Sequence, residues 1–173
     1  MEQKIVTPVQ KGLVISLILI LIGMAIYFSG QIGNKSLGYL QYLVFIGGII
    51  WGCTYYAKQM NGNVTFGNVF AHGFKTTAFI AATMAVYTFI SVKFLFPDIV
   101  DKSLDMVRIE MEKNKDVTDE QRQQALNMTK EFFVPFAVGG LLLMFAIFGA
   151  IASLIGAAVS KKKPQDPFAQ PQM

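Results

Sequence analysis

The chain has 173 residues, of which 53% are hydrophobic, and its 15 lysines and arginines outnumber its 11 acidic residues, for a net charge of +4. A mean hydropathy of +0.46 is too high for an ordinary soluble domain of this length, so the composition indicates a polytopic membrane protein. The basic residues are scattered or flank apolar runs and form no face interleaved with aromatic rings, which argues against nucleic-acid binding.

A membrane-spanning helix needs about 20 mostly apolar residues, because the hydrocarbon layer is about 30 Å thick and each residue rises about 1.5 Å. Four stretches meet that length, and the predicted spans are about 11–30, 37–57, 74–96 and 136–159. No A-x-A cleavage site follows the first run, which is therefore interpreted as a retained signal anchor. The short segment QIGNKS predicts that the first two spans are antiparallel neighbours.

The third span belongs to a longer predicted helix, which runs without a break from Phe66 to Phe96 and has Thr65 as its N-cap. Its 31 residues would extend roughly 46 Å, so the turns before residue 74 are expected to lie outside the hydrocarbon. The fourth span is predicted to carry Pro135 in its first turn, where the missing amide costs least. The tail 161–173 is predicted to be disordered, because after three lysines it is rich in proline and glutamine.

Between the third and fourth spans, the stretch 97–131 carries nine of the eleven acidic residues. Its first half has apolar residues at helical spacing, which predicts one buried face: Val100, Leu104, Val107 and Met111. Thr118 with Gln121 forms a capping box, so a second helix is predicted from Asp119. The second helix is expected to turn Ala125, Met128 and Phe132 inward. The prediction is an all-α membrane protein, one domain over 1–160, with an extramembrane helical hairpin.

Sidedness follows less directly from the pattern. Four spans place both termini on one side of the membrane, and the lysines and arginines number seven on that side and eight on the other. The raw positive-inside count therefore does not decide. The lysines at 161–163 adjoin a helix end, whereas the cations of the 97–131 stretch are interspersed with acids. We predict cytoplasmic termini and a periplasmic 97–131 stretch.

Two ionisable residues, His72 and Lys75, lie in the front half of the third predicted helix. An ionisable group within a membrane helix points by default to function, and here the hypothesis is proton or anion handling. The alternative is that Lys75 lies at the interface and extends its ammonium to water. Lys93, near the other end of the helix, has the same alternative.

Asp101, Ser103, Asp105 and Glu112 have the 1, 3, 5, 12 spacing of an EF-hand calcium loop. The glycine that such a loop needs at position 6 is replaced by Met106, and the same residues fit a helix. A solvated helical face is therefore favoured over a calcium site.

The chain has one histidine and one cysteine, Cys53. Cys53 falls in an apolar run and can form neither an internal disulfide nor a cysteine-rich metal site. No combination of nucleophile, base and orienting group can be assembled, so we predict no catalytic residue, no cofactor, no metal and no enzymatic activity.

Small residues recur at four-residue spacing in two spans, at Gly48 and Gly52 and again at Gly149, Ser153 and Ala157. They let helix backbones approach closely in a membrane. Two interpretations remain open, namely packing within one chain and homo-oligomerisation.

Several patterns together resemble a known family. Thr65, Phe66 and Gly67 start the third predicted helix, Gly73, Phe74 and Lys75 form the turn into its span, and Pro97 closes it. The second half of the 97–131 stretch begins with the run from Thr118 to Gln121. On these patterns, residues 5–160 resemble the four-helix membrane proteins called domain of unknown function 4199, found chiefly in Bacteroidota. The resemblance implies an inner-membrane protein of a Gram-negative bacterium, and it carries no functional residues with it.

Two functional hypotheses follow. The first is a non-enzymatic integral membrane protein that interacts with the lipid bilayer and with an envelope protein or a second copy, through its small-residue faces or the 97–131 hairpin. The second is a small oligomeric transporter or channel subunit. The absence of acidic or paired charges within any predicted span argues against the second hypothesis.

Overall fold

The structure is a computed structural model, and it describes residues 5–113 and 118–162. Six α-helices and one π-helical turn succeed one another: α1 (Pro8–Phe28), α2 (Lys35–Gln59), α3 (Phe66–Ile90), the π turn (Ser91–Leu95), α4 (Asp98–Glu112), α5 (Asp119–Glu131) and α6 (Phe133–Val159). No strand occurs in these two ranges, so the all-α prediction is confirmed for them. Most of the predicted disordered tail, residues 163–173, lies outside the described residues.

Four helices are long and apolar enough to cross a membrane: Pro8–Phe28, Lys35–Gln59, Phe66–Leu95 and Phe133–Val159. Each coincides with one of the four predicted spans. In every one, only 22–28% of the most apolar window is buried inside the structure. Most of their apolar side chains therefore face outward.

Threonines begin three of the helices, because a threonine hydroxyl can accept a bond from an otherwise unpaired amide of the first turn. Thr65 Oγ1 accepts from the Asn68 amide at 3.1 Å, as predicted. Thr118 and Gln121 form the predicted reciprocal capping box. Thr7 and Gln10 form a second capping box at the start of α1, which the sequence analysis missed.

The third long helix is not regular to its end. After Ile90 the chain widens into the π turn, and the Phe96 amide donates to the Ser91 carbonyl at 2.7 Å. Pro97 explains the change, because a proline disfavours the α conformation in the residue before it. Phe96 accordingly has φ −139° and ψ 62°. The predicted unbroken helix from Phe66 to Phe96 is thus right in extent and wrong in its last turn.

The chain divides into two compact units: unit 1 is Met1–Ala81 with Met144–Met173, and unit 2 is Ala82–Leu143. The prediction of one membrane domain over 1–160 stays a prediction.

In unit 1, aromatic and small residues join the helices. Phe45 of α2 lies 4.6 Å from Phe145 of α6 between ring centroids. Cys53 lies where α2, α3 and α6 meet: a Cβ built on Gly73 would be 2.5 Å from its Sγ, and one built on Gly156 would be 2.7 Å from its Cβ. Glycine at these two positions lets the three backbones approach one another.

In unit 2, α4 packs against α5 as the predicted helical hairpin. The inward face of α5 differs from the prediction. Leu126 is its buried residue at 8% exposure, whereas Met128 is 51% exposed and Phe132 is 44% exposed. The prediction was therefore wrong for Met128 and Phe132, whereas Ala125 is half-buried. Phe132 lies beyond the end of α5 at Glu131, with φ −101° and ψ 15°.

Candidate functional site

A lysine is buried in unit 1, near the start of α1. The Thr7–Gln10 capping box begins α1 at Pro8, which puts Lys11 in the first turn. Lys11 belongs to the inward face of the helix and is only 2% exposed. Lysine is almost never fully buried without partners, so its surroundings need a specific explanation.

The Lys11 ammonium meets one group from α2 and one from α3. Its Nζ donates to the Gly52 carbonyl at 2.9 Å and lies 3.0 Å from Nε2 of His72. The lysine stem passes close to Gly52, where an added Cβ would be 3.6 Å from Lys11 Cδ, an ordinary contact distance. Three helices therefore meet at a single ammonium group.

Two tyrosines complete the site. The Lys11 Nζ lies 5.2 Å from the ring centroid of Tyr55 and 5.7 Å from that of Tyr56, within reach of a cation–π attraction. The Tyr56 ring also stacks on His72, with centroids 4.1 Å apart and planes at 11°. The stack fixes the His72 ring so that Nε2 points at the lysine.

No carboxylate is available to neutralise this lysine within the part of unit 1 that the structure describes. The sequence has no Asp or Glu from residue 5 to residue 96, and none from 132 to 162. A buried charge ordinarily costs several kcal/mol unless it is paired. The site thus supports a positive charge with a carbonyl dipole, an imidazole lone pair and two aromatic faces.

The contact between Lys11 and His72 is a hydrogen bond from a charged donor to a neutral acceptor. A lysine ammonium has donors only, so while Lys11 is charged, Nε2 of His72 must be the acceptor and the imidazole is neutral. A lysine amine is a much stronger base than an imidazole, so the proton stays on Lys11, whose Nζ lies 3.0 Å from Nε2 of His72. The pair therefore joins a charged group of α1 to a neutral acceptor of α3.

Further polar groups line the same buried region. Thr76 Oγ1 donates to the His72 carbonyl at 2.9 Å. Ser16 of α1 is 1% exposed, and its hydroxyl makes no hydrogen bond within the described residues. It lies five residues after Lys11, about 7.5 Å further along the helix and about 140° around it, so the two polar groups stand at opposite edges of the buried side of α1.

The structure separates the two ionisable residues that the sequence singled out together. His72 is buried at 6% exposure in the cluster with Lys11, whereas Lys75 is exposed. Lys93 is also exposed, with its Nζ 5.8 Å from the Phe89 ring centroid. Of the three, only His72 contributes to the candidate site.

The EF-hand-like residues Asp101, Ser103, Asp105 and Glu112 all lie on the single helix α4. In unit 2, Asp101 and Asp105 line a cavity of about 230 Å³ between α4 and α5, and Arg108 and Lys130 line it too. Two carboxylates and two cations leave this lining with no net charge, which does not favour a metal ion.

The small residues contact neighbouring helices of the same chain. A Cβ on Gly48 would be 3.1 Å from the Ile15 side chain of α1, and one on Gly149 would overlap Thr77 of α3. Ser153 and Ala157 are fully buried at 0% exposure. These residues serve packing within the chain, and homo-oligomerisation through them stays a prediction.

The sequence analysis missed Lys11 as a site residue and counted it only as a charge flanking the first span. One signal was available: α1 has Lys11, Ile15 and Leu19 at helical spacing, and all three are buried. A lysine in phase with an apolar stripe points inward. Its partner could not be found that way, because His72 lies 61 residues further along the chain.

No curated protein and no solved structure matches this chain. A family model described as protein of unknown function (DUF4199) matches residues 10–162. This range includes α2 to α6 and both members of the Lys11–His72 pair. The chain therefore belongs to the DUF4199 family, as the resemblance implied.

Proposed function

We propose that this protein is a non-enzymatic integral protein of the bacterial inner membrane, and that it acts by contact with lipid and with other envelope proteins. The exterior of the four long helices carries the proposal. Large apolar side chains are exposed on these helices, including Leu17 at 59% and Leu143 at 62%. Monomeric soluble proteins rarely expose apolar surface on this scale, whereas lipid tails would cover it.

The non-enzymatic role rests on the only histidine and the only cysteine. His72 is 6% exposed and Cys53 is 0% exposed, and Nε2 of His72 already faces the Lys11 ammonium. General acid–base or covalent catalysis needs a base or a nucleophile that can reach the substrate. Neither side chain is placed to do so.

The α4–α5 hairpin is the proposed contact surface for a partner. Its inner side holds Leu126, while Met106 and Ile109 of α4 are 37% and 56% exposed. At 100° per residue these two side chains point away from the Leu104 face. Apolar residues on the outside of a charged hairpin are typical of a surface that another protein covers.

A second candidate function, a small oligomeric transporter or channel subunit, is favoured by one observation. The sequence showed no paired ionisable groups within the spans, but the folded chain brings Lys11 and His72 to 3.0 Å from different helices. Ionisable groups buried within membrane helices are typical of ion and proton pathways.

One experiment separates the two candidates. The protein is purified in detergent, its particle mass is measured, and proton flux is followed in liposomes. We expect a monomer with no flux above that of protein-free vesicles. An oligomer whose flux is abolished by Lys11→Met, but kept by Lys75→Met at an exposed position, would overturn the first function and establish the second.

A further inference from the structure

A cavity of about 640 Å³ lies at the end of unit 1 where α2 and α6 finish. Its lining comes from the last turns of α2, the turn after it and the residues that follow α6. Asn61 and Gly62 form that turn with φ values of 52° and 75°, a left-handed conformation that suits these two residue types. The volume is in the range of small-molecule sites, about 300–1,000 Å³.

The charge of the lining is entirely positive. Lys58, Lys161 and Lys162 all contribute, and no carboxylate does among the lining residues that the structure describes. Lys162 is held in place, because its Nζ donates to the Ala157 carbonyl at 2.6 Å and lies 5.2 Å from the Phe66 ring centroid. The helix dipole stabilises a cation near a helix C-terminus. That effect can explain each lysine by itself, but it does not explain why three lysines line one cavity. Their convergence favours an anion.

Apart from the polar Thr54 and Asn61, the rest of the lining is Ala57, Gly62 and Val159, and its apolar part continues along α6. Ala57 and Val159 belong to the cavity, and Val159 is 57% exposed. Four and eight residues earlier on the same ridge, Ile155 and Ile151 are 44% and 47% exposed. A cationic cavity that opens onto an apolar ridge suits a ligand with an anionic head and an apolar tail.

We propose that this cavity binds the headgroup of an anionic phospholipid. The lipid phosphate lies among the ammonium groups of Lys58, Lys161 and Lys162, and an acyl chain follows the ridge from Val159 to Ile151. The inference takes only the membrane location from the proposed function and adds a lipid site to it.

The position along the helices agrees with a headgroup. Gln59 and Val159 end two of the membrane-length helices, and lysines that flank such ends are attracted to anionic lipid surfaces. Aromatic rings lie at the same end of α2, where Trp51 and Tyr55 stack with centroids 5.3 Å apart and Trp51 is 55% exposed. Tryptophan and tyrosine collect at the membrane–water interface.

Native mass spectrometry of the full chain in detergent tests the proposal, with phosphatidylglycerol and phosphatidylcholine as probes. The variant is Lys58→Gln with Lys161→Gln, which keeps Lys162 and its bond to Ala157. The control is Lys35→Gln with Lys75→Gln, which removes the same charge elsewhere. We expect the wild type and the control to prefer phosphatidylglycerol at least about tenfold. The variant should bind it about thirty-fold more weakly, at about 1 kcal/mol per lysine.

The single variant Lys161→Gln changes an exposed residue beyond the helix end and keeps the test open if the double variant does not fold. Its expected loss is about fivefold by the same reasoning. The proposal is overturned if the control loses as much affinity as the variant, or if the wild type shows no preference between the two lipids. It is also overturned if inorganic phosphate at equal concentration displaces the lipid, because the site would then serve a free anion.

Discussion

At the scale of single residues, the burial of Lys11 and of His72 depends on the hydrogen bond between them. Their nitrogens are 3.0 Å apart, and they are 2% and 6% exposed. Removing one member leaves a buried polar group short of a partner, which costs more than the hydrogen bond itself gains. Removing both members avoids that cost.

A double-mutant cycle measures this coupling. Lys11→Met keeps the stem, and His72→Phe keeps a ring to stack on Tyr56. We expect the double variant to be more stable than the sum of the single effects by about 1–3 kcal/mol. The measurement is the free energy of unfolding in detergent. In the control cycle His72→Phe is combined with Lys35→Met, at an exposed position, and is expected to be additive. Additivity in both cycles would contradict the pairing.

At the scale of elements, α6 carries glycines of two kinds. Gly149 is buried against Thr77, where an added Cβ would overlap the threonine side chain, whereas Gly140 has nothing within 4 Å of such a Cβ. The same substitution should therefore have opposite effects at two positions of one helix.

Gly149→Ala is expected to destabilise the protein by about 1–3 kcal/mol, because overpacking forces neighbours to move. Gly140→Ala, the matched control, is expected to be neutral or to stabilise by up to about 1 kcal/mol through helix propensity. Thermal unfolding of the two variants, followed by circular dichroism, tests the difference. Equal effects would show that α6 does not approach α3 as closely as the structure has it.

The hairpin shows how far a pattern predicts an element. The capping box placed the start of α5 at Asp119 correctly, since it depends only on residues three apart. The face of α5 was mispredicted because Ala125, Met128 and Phe132 also form a helical stripe. Only the packing of α5 against α4 selects Leu126 instead.

At the scale of the whole molecule, the four membrane-length helices lead to a prediction of the side of the membrane on which each segment lies. Four crossings of the membrane would put the termini on one side and the α4–α5 hairpin on the other, which is the predicted topology. The positive-inside count is seven against eight, so sidedness depends on where the cations are rather than on how many there are.

Cysteine labelling tests this topology in a Cys53→Ser background, because the native thiol is the only one in the chain. Lys113→Cys, at an exposed end of α4, should react with a membrane-impermeant maleimide in spheroplasts. Lys161→Cys, beyond α6, should react only after the membrane is opened. The reverse pattern would place the hairpin in the cytoplasm and overturn the predicted orientation.

The sequence by itself determined the order of the four membrane-length helices and of the hairpin between the third and the fourth, as well as the caps at Thr65 and Thr118. These features depend on local hydropathy and on residues a turn apart. Only the tertiary structure decided which polar residues meet. Lys11 finds His72 across 61 residues, and Lys58 of α2 shares a cavity with Lys161 and Lys162 after α6. A periodic pattern indicates which face of a helix points inward, but the residue that it meets there is set by how separate helices pack.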